Sequence, residues 1–227
     1  TVRDFVDREI APRAADYDES GEFPWDNVRG LAELGLFGLT IDERYGGSGG
    51  TTRQLAVAVE EIARGCAATS VIYIAHLSLC TQFIHMFGTE GQKEQFVPPL
   101  ARGEKIGAFA LTEPGSGSDS GAMKTTATRT DGHYALNGTK LFITNAAEAD
   151  IFLVLASHDT SLRTRGINAL VVEKDFGGIT ITPQHGKMGM RASSTAEIVF
   201  DDCPVPEENR LGGEGEGFKE TMQTLNT

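Results

Sequence analysis

The chain has 227 residues, of which 40% are hydrophobic and 23% are charged, figures that exclude a disordered chain and suit one or two buried cores. Its 32 acidic residues outnumber 20 basic ones, for a net charge of -12, which disfavours nucleic acid as a partner because phosphate backbones are bound by clustered Lys and Arg. Its 3 cysteines are widely separated, so a reducing compartment is expected and a disulfide framework is not.

The first hundred or so residues have the spacing of helices. Pro24 suits the first turn of a helix that carries Leu31 and Leu34, and Gly35 is a natural stop. The next helix is amphipathic, because apolar residues recur at helical spacing between charged ones. Those apolar residues are Leu55, Val59 and Ile62.

An uncharged stretch follows from Gly65 to Thr89. It exceeds the roughly 20 residues that a membrane-spanning helix needs. Polar residues such as Thr69, His76 and Gln82 recur through it, which favours a helix buried among other helices over membrane insertion. A charged helix is then predicted from about Gln92, broken by the prolines at 98 and 99.

From about Ile106 the chain changes to short β-prone runs separated by turn signals, of which Asp131-Gly132 and Asn137-Gly138 are two. This spacing of runs is expected of a small barrel or sandwich. A parallel Rossmann sheet is disfavoured, because no helical segments alternate with the β-prone runs. A helix is predicted to start at Gly217. The predicted runs are 123–130, 134–136, 141–144, 151–156, 167–173, 179–182 and 195–200.

Residues 110–121 read ALTEPGSGSDSG, a strand end that runs into a loop of glycines and serines. Glycines permit unusual backbone dihedrals that can aim successive N–H groups at an anion, and serine hydroxyls add donors for phosphate oxygens. The alternative is a flexible hairpin connection.

The same segment resembles the signature of the acyl-CoA dehydrogenase family, in which a small and an aliphatic residue precede Thr-Glu, and a small residue, Gly, Ser and Asp close the motif. Two further stretches agree with that family: GTKLFITNA at 138–146 and KMGMRASSTAEIVFDDCPVPEENRLGGEGEGFK at 187–219. The YGGSGG loop at 45–50 also fits. The resemblance covers essentially the whole chain.

The resemblance implies an α+β multidomain fold. Residues 1–105 are expected to form an all-helical N-terminal domain, 106–212 a flavin-binding β-barrel middle domain, and 213–227 the start of a C-terminal helical domain. FAD is expected between the last two domains.

Carried over position by position, the resemblance assigns FAD contacts to two segments. In the first, Thr112 is expected to bond the pyrimidine edge, and Ser118 to reach phosphate and the acyl-CoA substrate. In the second, Thr144 is expected near flavin N5, where a donor stabilises the reduced ring. Phe142 departs from relatives that carry Trp but keeps an aromatic face. The full cofactor set is Phe109, Ala110, Leu111, Thr112, Gly117, Ser118, Phe142, Ile143 and Thr144.

The implied reaction is α,β-desaturation of an acyl-CoA thioester, in which a carboxylate removes the α-proton and the β-hydrogen passes to flavin N5. The family's base is a Glu expected beyond Thr227, so this segment alone is expected to be inactive. Glu113 is disfavoured as a substitute because its position belongs to the cofactor loop. Asn226 aligns roughly with an Asp that contacts the substrate's pantetheine in relatives, and the change puts that contact in doubt.

Several expectations about partners follow from the resemblance. Electrons are expected to pass to an electron-transfer flavoprotein, the assembly is expected to be a homotetramer, and the location is cytoplasmic in a bacterium or the mitochondrial matrix in a eukaryote. The alternatives are an acyl-CoA oxidase or flavin monooxygenase on the same scaffold, or a non-catalytic flavin or acyl-CoA binding module. No metal is expected, since His76 and His85, nine apart, do not form an i, i+4 pair.

Overall fold

The computed structural model describes residues 1–226. The N-terminal part is helical, as predicted, with short 3-10 and π segments between the helices. Its helices are α1 (Val2–Phe5), α2 (Ala14–Ser20), α3 (Trp25–Glu33), α4 (Thr52–Gly65), α5 (Ala67–Ile74), α6 (Gln82–Phe87) and α7 (Glu90–Ala101).

The ends of these helices follow local sequence signals. Pro24 precedes α3 as its N-cap, and Gly35 takes a left-handed φ of 73° just after it, a conformation that costs glycine little. Thr51 starts α4 in a capping box with Gln54, which satisfies backbone N–H groups that the first turn leaves free. Ile62 is fully buried on the inner side of α4.

The uncharged stretch forms one continuous helical run from Ala67 to Phe87, in which a π segment (Ala75–Thr81) joins α5 to α6. This run is long and apolar enough to cross a membrane by length and composition, but 67% of its most apolar 18-residue window is buried inside the protein. The π segment packs on the first strand of the sheet. The run therefore has the burial of a core helix.

The expected break at Pro98 and Pro99 is wrong, because α7 continues to Ala101. Phe96, Val97 and Leu100 are buried and anchor this turn to the core. The proline carbonyls accept hydrogen bonds from the N–H groups of residues 102, 104 and 105, so the prolines lie in the last turn and the chain leaves the helix only after them.

Residues 107–211 form one mixed, mostly antiparallel sheet of eight strands. Along its main path the order is β6-β7-β3-β2-β4-β5-β8, and β1 pairs in parallel with β4. Among residues 1–226 the end strands β6 and β8 do not pair with each other. The sheet is thus open, and the expected closed barrel is not confirmed. The strands are β1 (Gly107–Ala110), β2 (Thr126–Arg129), β3 (His133–Thr144), β4 (Ile151–Ser157), β5 (Ile167–Glu173), β6 (Ile179–Pro183), β7 (Thr195–Pro206) and β8 (Arg210–Leu211).

The predicted turn at Asn137-Gly138 is wrong, because β3 runs through both residues as a single 12-residue strand. The register with β7 shifts between Leu136 and Gly138, which is the signature of a β-bulge. Gly138 has a φ of 145°, and a Cβ there would lie 2.5 Å from the Thr125 hydroxyl oxygen. Gly138 has the sequence context of a turn, but in the structure it forms a β-bulge in close contact with Thr125, the residue before β2.

The predicted C-terminal helix is present as α8 (Gly217–Leu225). The segment before it is tied to both layers: the Gly212 N–H donates to the Phe87 carbonyl at 3.3 Å, and the Gly215 N–H donates to Asn168 Oδ1 at 2.7 Å. Because of these contacts, α8 lies against α6 and β5.

Candidate functional site

The loop after β1 and the end of β3 lie side by side. The Leu141 N–H donates to the Thr112 carbonyl at 2.8 Å, and Lys140 Nζ donates to the Leu111 carbonyl at 3.0 Å. The two segments that the sequence analysis assigned to one ligand are therefore neighbours in the fold.

The end of β3 presents an aromatic ring to solvent. Phe142 is 61% exposed and has a φ of 59°, an unusual value for a bulky residue. It lies where the register with β7 shifts, between Lys140 and Ile143. Ile143 is buried, whereas Thr144 is half-buried. Phe142 and Thr144 are thus available to a ligand, and Ile143 offers only its backbone.

The residues at the end of β1 and just after it also differ in burial. Ala110 is fully buried, so it also offers only its backbone. Phe109, Leu111 and Thr112 are half-buried. Their side chains therefore keep some exposed surface just before the loop.

The loop itself is held by short-range hydrogen bonds. Glu113 and Ser116 exchange both backbone bonds, at 2.9 and 3.1 Å, and Ser116 Oγ donates to the Asp119 carbonyl at 2.8 Å. The Asp119 carboxylate pairs with Arg163 at 2.8 Å, which ties the loop to the 160–166 segment. The loop is therefore an ordered structure and not a slack connection.

The glycines of this loop do not adopt the unusual backbone dihedrals that were expected of them. Neither Gly115 nor Gly117 has a positive φ, and a Cβ at either would meet nothing within 4 Å. The prediction of unusual glycine dihedrals is wrong at these positions. Together with the exposed Ser118, the glycines leave open space, so that a ligand can approach the backbone closely.

Glu113 lies beneath the loop and is buried. Its carboxylate accepts hydrogen bonds from the N–H groups of Lys124 at 2.6 Å and Thr125 at 3.0 Å, and from Lys140 Nζ at 2.9 Å. Burial raises the pKa of the Glu113 carboxyl, but the Lys140 ammonium and these donors outweigh it and lower the pKa overall. A carboxylate with all these partners is not free to take a proton from a substrate.

Two residues at the site, Lys140 and Asn145, were not predicted from the sequence. Asn145 has a φ of 67°, and its Nδ2 donates to the carbonyls of Ile72 at 3.0 Å and Gly107 at 3.3 Å. It thereby fixes the end of β3 to α5 and β1. Both residues lie in the 138–146 stretch that carried the family resemblance. Their place in that stretch was the only sequence feature that pointed to the site.

Asn226 lies at the C-terminal end of α8. Its Nδ2 donates to the Met222 carbonyl within the same helix, at 2.7 Å. The preceding Leu225 lines an apolar groove of 550 Å³ between α4, the α5 region and α8. The other main apolar lining residues are Leu55, Val59, Ile74 and Leu79.

Within residues 1–226, no cluster of three or more His, Cys, Asp or Glu side chains is arranged to hold a metal ion. His76 is fully engaged in the core: its Nε2 bonds the Leu100 carbonyl at 3.0 Å, and its Nδ1 accepts from the Gly107 N–H at 2.9 Å.

Comparisons with known proteins agree on one family. Residues 1–104 match the family described as acyl-CoA dehydrogenase, N-terminal domain, and residues 108–203 match acyl-CoA dehydrogenase, middle domain. A curated relative, the short-chain specific acyl-CoA dehydrogenase of Clostridium acetobutylicum, is 47% identical over 224 residues. The alignment covers 99% of this chain and 59% of the relative.

Solved structures show the same architecture. Butyryl-CoA dehydrogenase from Megasphaera elsdenii has a TM-score of 0.95 at 42% identity, over 99% of this chain and 60% of its own. A chain from the work on the electron transferring flavoprotein of Acidaminococcus fermentans has a TM-score of 0.96 at 41% identity, over 99% and 59%. An acyl-CoA dehydrogenase complexed with FAD from Bacillus anthracis has a TM-score of 0.90 at 38% identity, over 99% and 38%.

Proposed function

Because this chain belongs to the acyl-CoA dehydrogenase family, we propose that the complete protein binds FAD and desaturates a short acyl-CoA thioester between its α and β carbons. The observation that carries the proposal is the adjacency of the Thr112 carbonyl and the Leu141 N–H, at 2.8 Å. It places the glycine-serine loop and the exposed Phe142 beside each other.

The residues present suit a flavin. Phe142 offers an exposed aromatic face, which suits stacking against a planar ring. Gly115 and Gly117 leave room for close backbone approach, and Ser118 adds a hydroxyl donor for phosphate oxygens. When bound, FAD supplies the acceptor for the hydrogen that leaves the β-carbon.

We assign each segment a separate task. Thr112 binds the edge of the ring, Ser118 binds phosphate and the substrate thioester, and Thr144 donates a hydrogen bond near the ring's reacting nitrogen. Phe109 and Leu111 pack at the side of the ring, while Ala110, Ile143 and Gly117 contribute backbone contacts. A donor held in place before reaction stabilises developing charge without the cost of reorienting water.

The apolar groove beside Leu225 supplies a site for the acyl chain. Its volume of 550 Å³ and its aliphatic lining suit burial of methylene groups, each worth about 0.8 kcal/mol. Asn226 directly follows Leu225, which lines the groove, so we assign Asn226 to the polar pantetheine arm of the substrate. The short-chain relative supports a short substrate.

The domain division 1–105, 106–212 and 213–227 stays a prediction. It is supported by the family matches, which end at 104 and resume at 108. Since the chain spans 59% of its curated relative, we assign the general base to a Glu outside this chain. A homotetramer and an electron-transfer flavoprotein as electron acceptor complete the proposal.

The test is an anaerobic titration of the complete, FAD-loaded protein with straight-chain acyl-CoA thioesters of increasing length. We expect loss of the flavin absorbance, fastest with short chains, and slow reoxidation when air is admitted. Rapid reoxidation in air would favour an oxidase. A flavin that dithionite reduces and no acyl-CoA bleaches would contradict the proposal and favour a binding module.

A further inference from the structure

Lys140 is buried in a place where a basic side chain is costly. Its side chain is 0% exposed, and that of its partner Glu113 is 4% exposed. Among the described residues, no other Lys or Arg is buried. Moving a charge out of water costs several kcal/mol even after relaxation, so this pair needs a reason beyond ordinary surface pairing.

The pair connects several backbone segments at one point. Lys140 Nζ donates to Glu113 Oε1 at 2.9 Å and to the Leu111 carbonyl at 3.0 Å. The Glu113 carboxylate in turn accepts from the N–H groups of Lys124 and Thr125. Glu113, at the start of the glycine-serine loop, thereby binds the backbone at the end of the loop. Its carboxylate is also bound to Lys140, which lies on β3 two residues before Phe142.

Stability alone does not explain such a pair. Replacing a buried ion pair by apolar residues of similar volume is often neutral or stabilising. The pair instead fixes geometry. The ammonium and the carboxylate each hold several hydrogen-bond partners at defined distances and angles, which an apolar contact cannot do.

We propose that Lys140 and Glu113 are positioning residues, which set the distance between the glycine-serine loop (114–124) and Phe142–Thr144 so that both reach one flavin. The inference rests on the proposed function and deepens it. Neither residue touches the ligand; each acts through the backbone that it holds.

The experiment compares FAD binding in variants of the complete protein. Lys140→Met keeps the length of the side chain and removes the ammonium. Glu113→Gln removes the negative charge and keeps one acceptor oxygen, enough for one of the Lys124 and Thr125 N–H groups, which bond different carboxylate oxygens. The double variant K140M/E113Q removes both charges, so no unpaired charge stays buried. Lys105→Met is the matched control, since Lys105 pairs with Glu173 at 3.3 Å at partly exposed positions outside the site.

We expect the double variant to recover stability toward urea relative to either single variant, yet to bind FAD about tenfold more weakly and with a shifted flavin absorbance spectrum. Lys105→Met should match the wild type in both. A folded double variant with wild-type FAD affinity and spectrum overturns the positioning role alone. If the wild-type protein itself does not bind FAD, the proposed function fails and this inference fails with it.

Discussion

Phe142 and Thr144 differ from Ile143 in exposure because β3 is irregular here: Phe142 has a φ of 59° and lies at the register shift between Lys140 and Ile143. Ile143 is buried, Phe142 is 61% exposed and Thr144 is half-buried. All three were assigned to the cofactor from the sequence, and their exposure leaves the side chains of Phe142 and Thr144 accessible but that of Ile143 buried.

Thr144→Ala should slow reduction of the flavin by substrate more than it weakens FAD binding. The hydroxyl is proposed to stabilise charge that develops during the reaction, and loss of one such donor costs roughly a hundred- to a thousandfold in rate at comparable sites. Stopped-flow reduction and FAD titration measure the two effects separately. Thr139→Ala, on the same strand away from the loop, is the control, and a Thr144→Ala variant that loses FAD affinity but keeps its reduction rate would show that the placement is wrong.

The burial of Lys140 could not be predicted from the sequence around it. A lone Lys in a β-prone run is most simply a solvent-facing residue, and its burial depends on Glu113, which is distant in the sequence. Only the fold brings the two together, at 2.9 Å.

At the scale of elements, the type of each helix and strand was largely predictable, but two predicted interruptions are absent from the structure. Asn137-Gly138 has the composition of a turn, yet β3 continues because its second half also pairs with β7. Pro98 and Pro99 have the composition of a helix break, yet buried neighbours hold α7 to Ala101. In both cases tertiary pairing outweighs local propensity.

His76 joins the π segment to β1, the strand that leads into the candidate site. Burial lowers the pKa of His76 to about 4, although its hydrogen bond to the Leu100 carbonyl opposes this. In the unfolded chain the pKa is about 6.5. Between these values the unfolded state binds more protons, so folding stability is lost as the pH falls through this window.

His76→Gln should remove this loss, because glutamine can both donate to Leu100 and accept from Gly107 without titrating. Urea unfolding near pH 7 and near pH 5 should show the wild type losing about 2 kcal/mol more than the variant on acidification. Equal losses in the two proteins would show that His76 does not carry the effect.

At the scale of the whole molecule, helices and sheet share one hydrophobic core. Asn145 bridges the two layers through its hydrogen bond to the Ile72 carbonyl in α5, and His76 does so by accepting from the Gly107 N–H in β1. The order of helices then strands was readable from the change in pattern near Ile106. The open sheet was not, since closure depends on which end strands meet, and no local pattern encodes that pairing.

Amide hydrogen exchange of the complete protein, measured with and without FAD, tests whether the two segments form one flavin site. We expect slower exchange on FAD binding in two separate stretches, 109–118 and 142–144, since one ring should cover both. Protection confined to one stretch, or found elsewhere with both unchanged, would contradict a flavin site formed where these segments meet.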